Sequence, residues 1–143
     1  MKKRVKLKIS KEFIFLAAII LFALFLRVYQ LNETPFWSDE AISTLSSKEI
    51  LEKGTPTFDS GVHYSRAYLF HYTQAFFLLF GKSDFLARLP SVIFGLLTII
   101  LGYFIGKEHS KKAGILSALF LAVFFLEVSF SRQARFYQLF QLL

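Results

Sequence analysis

No cysteine occurs in the 143 residues, which excludes disulfides and thiolate metal sites and leaves redox chemistry silent about compartment. Internal repeats and low-complexity tracts are absent too. Charged residues make up only 19% of the chain, too few to cover a soluble domain, whereas 55% of residues are apolar and mean hydropathy is +0.49. The net charge of +7 belongs to no nucleic-acid surface, because the cations cluster beside apolar runs instead of along one polar face. What is present in excess is phenylalanine, 19 residues of it, arranged in long apolar stretches. An all-α polytopic membrane protein is expected, with the lipid bilayer as its first partner.

Lys2, Lys3, Arg4, Lys6, Lys8 and Lys11 open the chain and form a basic tail over residues 1–12. Residues 13–31 follow as a first span, near the roughly 20 residues that a bilayer needs. Arg27 near its far end is expected to snorkel to the headgroups. A secretory signal is the rival reading, but Arg27-Val28-Tyr29-Gln30 offers no small-x-small cleavage site. Residues 89–106 form a second span, with Pro90 in its first turn, where a missing N–H costs little. Residues 113–130 form a third, with Glu127 near its outer end.

The basic connector 107–112 and the basic tail both belong on the cytoplasmic side by the positive-inside rule. That places residues 32–88 outside, a loop with seven acids and five bases. The apolar stretch Ala67–Phe80 is too short to span and carries His71, Thr73 and Gln74, so it is expected to lie along the membrane surface. Residues 131–143 begin another hydrophobic element on the outer side, and the sequence reads as the front of a longer polytopic protein. The cell membrane, with the N-terminus cytoplasmic and the loop outside, is the expected location.

The outer loop opens with Pro35-Phe36-Trp37-Ser38-Asp39-Glu40-Ala41. Phe36 and Trp37 suit interface anchors. Ser38 suits an N-cap, and acids at Asp39 and Glu40 complement the positive end of a helix that Gly54 and Pro56 would stop about fifteen residues on. Any capped helix favours acids there, so this motif alone does not make a catalytic site.

Taken in order, Trp37–Ala41, Asp59-Ser-Gly61, Tyr64-Ser-Arg-Ala67, Phe80-Gly81, Ala87-Arg-Leu-Pro-Ser91 and Ser131-Arg-Gln-Ala-Arg135-Phe-Tyr137 resemble the N-terminal part of the GT-C membrane glycosyltransferases. The closest likeness is to the bacterial and archaeal group related to protein O-mannosyltransferases and aminoarabinose transferases. The resemblance implies transfer of a sugar from a polyprenyl-phosphate donor to a hydroxyl of an acceptor glycan, lipid or protein, with inversion. It maps the family's catalytic or metal-binding acids onto Asp39 and Glu40.

Neighbouring helical residues point about 100° apart, so one acid is expected to act. Asp39 is the expected base, with Glu40 supporting it. A charged carboxylate also suits a divalent cation, so Asp39 as metal ligand stays open. Arg66, before the surface helix, and Arg132 and Arg135, three apart on one face of a continuing helix, are candidates for gripping the lipid phosphate. Tyr137 joins them by resemblance. Relatives often carry an acid-Lys-Pro where this chain has Ser65-Arg66-Ala67, which removes one metal ligand; His63 and Tyr64 are possible substrate or metal contacts in its place. Arg88 is expected to fix the start of the second span. The competing function is a non-catalytic transporter piece or assembly scaffold, although a transporter would place polar or broken-helix features near the midplane, and the span middles here are apolar.

Overall fold

The computed structural model describes residues 11–143, so the basic tail from Lys2 to Lys8 lies outside the described residues. Among the described residues there are helices α1 (Lys11–Val28), α2 (Ser38–Lys53), α3 (Tyr68–Leu78), α4 (Asp84–His109), α5 (Lys111–Val123), α6 (Phe125–Ser131) and α7 (Tyr137–Leu142). The one β feature among the described residues is an isolated bridge, Thr57 to His63, in the α2–α3 loop. The fold is all-α.

The axis of the molecule is α4. Its 26 residues are apolar enough to cross a bilayer, and at 1.5 Å per residue they exceed a hydrocarbon core of about 30 Å. It begins at Asp84, capped by the Ser83 hydroxyl, which accepts from the Leu86 N–H at 3.3 Å. Pro90 therefore sits inside the helix and not in its first turn, because the polar stretch before Leu89 is helical as well. Ser110 ends α4 and caps α5, accepting from the Ala113 N–H at 3.1 Å. The two helices then fold back on each other closely. A Cβ on Gly114 would meet the Tyr103 carbonyl and the Lys107 backbone, so only glycine lets the α4 and α5 backbones approach this far. Ala23, Ile99, Tyr103, Ala118 and Ala122 form the packed seam between α1, α4 and α5. The outward faces of these helices show Phe13, Phe15, Leu21, Phe104, Ile105, Leu116 and Phe120. Exposed apolar surface on that scale marks contact with lipid or another chain.

Only α4, among the described residues, qualifies singly as a span. The 18 residues of α1 include Lys11, Glu12 and Arg27, and the third apolar run is not one straight helix. It breaks at Phe124, which has extended backbone (φ −61°, ψ 125°), and α6 leaves α5 at 60°. Neither proline nor glycine stands at the break.

The break explains Arg27, which does not snorkel. Its guanidinium is completely buried. It donates to the carbonyls of Leu121 at 3.2 Å and Ala122 at 3.1 Å, in the last turn of α5, and to the Ser131 hydroxyl at 3.1 Å. Carbonyls at a helix end need donors, and within an apolar bundle there is no water to supply them. Arg27→Leu is expected to destabilise the protein by about 2–5 kcal/mol, since the Leu121 and Ala122 carbonyls and the Ser131 hydroxyl lose a donor. Thermal unfolding of the detergent-solubilised protein measures it, and a change under about 0.5 kcal/mol would show that the bend holds without Arg27.

Arg132 does the same for α1. It donates to the carbonyls of Leu26 (3.0 Å), Arg27 (3.3 Å) and Tyr29 (2.7 Å), closing the C-terminal end where a cation also complements the helix dipole. Glu127, one turn earlier, is turned inward and accepts from the side-chain amides of Gln138 and Gln141.

Candidate active site

The site is built on the first turn of α2. Trp37, not Ser38, is the N-cap residue, and its backbone N–H is taken by the Glu40 carboxylate at 3.2 Å. Glu40 is 2% exposed. Its Oε1 also accepts from Arg88 Nε at 3.0 Å and from the Ala134 N–H at 2.7 Å, and its Oε2 from Arg88 Nη2 at 3.2 Å. Arg88 is equally buried and donates in addition to the carbonyls of Leu31 (2.7 Å) and Thr34 (3.0 Å). One ion pair thus ties together α2, α4, the 31–35 turn and the segment after α6. Arg88 does fix the start of α4, but by anchoring it to a carboxylate 48 residues away.

The 100° step between adjacent helical residues turns Asp39 the other way, its side chain 60% exposed. Arg135 meets it there. The chain is not helical between Arg132 and Tyr137, so the two arginines do not share a face: Arg132 runs to α1 and Arg135 to α2. Arg135 donates to the Asp39 carbonyl at 3.2 Å and the Ser43 hydroxyl at 3.0 Å, and its Nη2 lies 3.5 Å from the Asp39 carboxylate. Its guanidinium lies over the rings of Phe136 (4.6 Å to centroid) and Tyr137 (5.5 Å). Burial works against its charge, but the hydroxyls of Tyr64 and Tyr137 outweigh that and raise its proton affinity above an ordinary arginine's.

Between these groups lies an open depression of about 520 Å³, lined by Trp37, Ser38, Asp39, Glu40, Phe130, Gln133, Arg135 and Tyr137. Of the sequence-derived candidates, it brings together Asp39, Glu40, Arg135 and Tyr137. Tyr64 approaches Arg135 from behind. Arg66 is exposed, ahead of an α3 that starts only at Tyr68, and His63 is held within its own loop by Thr57 (2.8 Å) and Tyr68. Trp37 and Gln133 join the lining without a signal in the sequence that marks them as site residues, although Gln133 stands between Arg132 and Arg135.

His71 sits behind the site. It is fully buried, and its ring meets Tyr64 edge-on at 5.3 Å. Burial first, and the charge of Arg135 second, push its imidazole down to about 4. With the unfolded value near 6.5, the folded state binds fewer protons between the two. Its stabilising contribution is complete above about pH 6.5 and is lost as pH falls toward 4. Unfolding followed from pH 7 to 4 should show a loss of about 2–3 kcal/mol, and His71→Asn should flatten that profile.

The model of the dolichyl-phosphate-mannose-protein mannosyltransferase family matches residues 65–141, more than half of the chain. The chain belongs to this family. Comparison with curated proteins and with solved structures finds no match. The family's matched region takes in Arg66, Arg88, Arg132, Arg135 and Tyr137 and begins after Asp39 and Glu40. It is the folding of Arg135 onto α2 that joins the mannosyltransferase-family segment to the acidic motif. Membership makes the chain a membrane glycosyltransferase-like protein, in keeping with the apolar length of α4. A divalent cation does not fit the donor set found here. Among the described residues no three His, Asp or Glu side chains converge. Glu40 is spent on Arg88 and two backbone N–H groups, and Asp39 faces a guanidinium.

Proposed function

We propose that this protein transfers a sugar from a polyprenyl-phosphate carrier to an acceptor hydroxyl at the outer face of the membrane, with Asp39 as general base and Arg135 holding the carrier phosphate. The observation that carries this reading is the exposed Asp39 carboxylate 3.5 Å from the largely buried Arg135, in an open depression. Transfer needs a base at the attacking hydroxyl and a cation at the departing phosphate, and these two groups supply both. The acceptor oxygen attacks the anomeric carbon from the face opposite the phosphate and gives its proton to Asp39. The bond from the anomeric carbon to the phosphate oxygen breaks, the phosphate leaves as an anion against Arg135, and configuration inverts. The family points to mannose on a dolichyl-type carrier, and the sequence motifs to the bacterial and archaeal group that includes aminoarabinose transferases.

The proposed topology has three spans: α1, α4 and the bent α5–α6 pair. Asp39, Arg88 and Arg135 gather at the start of α4, whereas Lys107, Lys111 and Lys112 stand at or just beyond its other end. Site and basic connector are therefore a helix length apart, as cytoplasmic lysines and an outer site require. In this topology α3 lies along the outer membrane surface.

The test is transfer by the intact protein in lipid nanodiscs, from polyprenyl-phosphate-mannose and polyprenyl-phosphate-aminoarabinose to a hydroxyl acceptor. Product of inverted configuration is expected with one of them. Failure with every lipid-phosphate sugar tried would remove the reading.

A further inference from the structure

We infer that Trp37 and Gln133 form the sugar subsite of this depression, the indole face stacking on the C–H face of the carrier's sugar while the Gln133 amide reads a ring hydroxyl. The inference rests on the glycosyltransferase reading and names the side chains that distinguish the sugar from the rest of the donor.

Trp37 is the sole tryptophan in the sequence and is 76% exposed. Its neighbour Phe36 behaves differently, packing against Leu78 and Ala87 with the Arg88 guanidinium 4.9 Å from its ring centroid. Of two adjacent aromatics, one is used to hold the loop and the other is left open. Trp37 does not stand alone on the outer surface as a lipid anchor would, since it lines the same depression as Asp39 and Arg135. The same depression is lined by Gln133, whose side-chain amide makes no hydrogen bond among the described residues and so keeps both a donor and an acceptor free.

Both walls hang on one group. The Trp37 N–H and the Ala134 N–H, next to Gln133, each donate to the buried Glu40 carboxylate, at 3.2 and 2.7 Å. The spacing of Trp37 from Gln133 is thus set by a buried ion pair, which is how a site is held ready before its ligand arrives. The volume lies within the range of about 300–1,000 Å³ found for small-molecule sites. The chemistry matches a pyranose. Its ring C–H groups carry slight positive charge on one face and suit the negative face of an aromatic ring, while its hydroxyls suit an amide. With the phosphate against Arg135, the sugar one bond away falls between Trp37 and Gln133, its anomeric carbon near Asp39.

Binding of polyprenyl-phosphate-mannose and of sugar-free polyprenyl phosphate to the intact protein in nanodiscs provides the test, alongside the transfer rate. Wild type is expected to bind the sugar-bearing carrier about tenfold more tightly than the bare one, the scale of one good aromatic contact. Trp37→Ala should erase that ratio, Trp37→Phe should keep most of it, and Gln133→Ala should lower it about threefold. The bare carrier should bind all four proteins alike. An unchanged ratio in Trp37→Ala, or equal weakening of both carriers, would overturn the subsite, the latter in favour of a lipid anchor. Wild type that transfers while Trp37→Ala behaves identically sinks the subsite alone. Wild type that neither binds nor transfers sinks the glycosyltransferase reading along with it.

Discussion

Asp39→Asn should lower the transfer rate by about 10²–10⁴-fold, the usual contribution of a positioned general base, while leaving the melting temperature nearly unchanged. The two halves of this expectation come from the same geometry. The Asp39 side chain is 60% exposed, and among the described residues its one ion-pair contact is Arg135 Nη2 at 3.5 Å. Although Arg135 is largely buried, a pair with one exposed member and 3.5 Å between the charges contributes little, about 0–1 kcal/mol. The firmer bonds of Arg135, to the Asp39 carbonyl and the Ser43 hydroxyl, do not involve the carboxylate and survive the substitution. Asparagine keeps the size of the side chain and still suits a helix N-terminus. The loss should therefore fall on kcat and leave the KM for the donor nearly unchanged. Initial rates with saturating carrier, paired with a melting curve, make the measurement. Transfer at the wild-type rate would remove Asp39 as the base.

How much of this was legible depends on the range of the interaction. Short-range features carried well. Gly54 ends α2 in the left-handed conformation (φ 75°), its N–H returning to the Ile50 carbonyl, as the Gly54–Pro56 stop signal implied. The divergent directions of Asp39 and Glu40 followed from helix geometry alone. Arg27 was the cation least legible in the sequence, because an arginine near the end of an apolar run has the same local pattern whether it meets headgroups or carbonyls. Arg27 and Arg132 turned out to serve helix ends, and for Arg27 the decisive feature was the break at Phe124, within a run of apolar residues that contains neither breaker residue. Arg88 and Glu40 are 48 positions apart, and Ala134 lies 94 from Glu40. No periodicity reaches that far. Gln133 was in plain sight, but without the turn that carries Arg135 back to α2 it had no reason to line the same depression as Trp37.

The other large effect falls on Glu40, next to Asp39 in sequence and opposite to it in consequence. Glu40→Ala or Arg88→Ala should each cost about 3–5 kcal/mol, because removing one partner leaves a buried charge uncompensated. Glu40→Ala also strands the N–H groups of Trp37 and Ala134, and Arg88→Ala strands the carbonyls of Leu31 and Thr34. Activity should fall with stability in both, since Trp37 and the Arg135 segment lose the carboxylate that sets their spacing. The double variant Glu40→Met with Arg88→Met separates structure from chemistry. Apolar pairs often replace buried ion pairs without loss, so the double variant should be more stable than either single one, with a coupling well above 1 kcal/mol between the two sites. Its transfer rate should nevertheless stay low, because no apolar side chain can hold the two backbone N–H groups that position the walls of the depression. Melting curves for wild type, Glu40→Met, Arg88→Met and the double Met variant close the cycle. Additive losses would mean that the two residues act separately, and the depression would then owe its shape to packing instead of to the clamp.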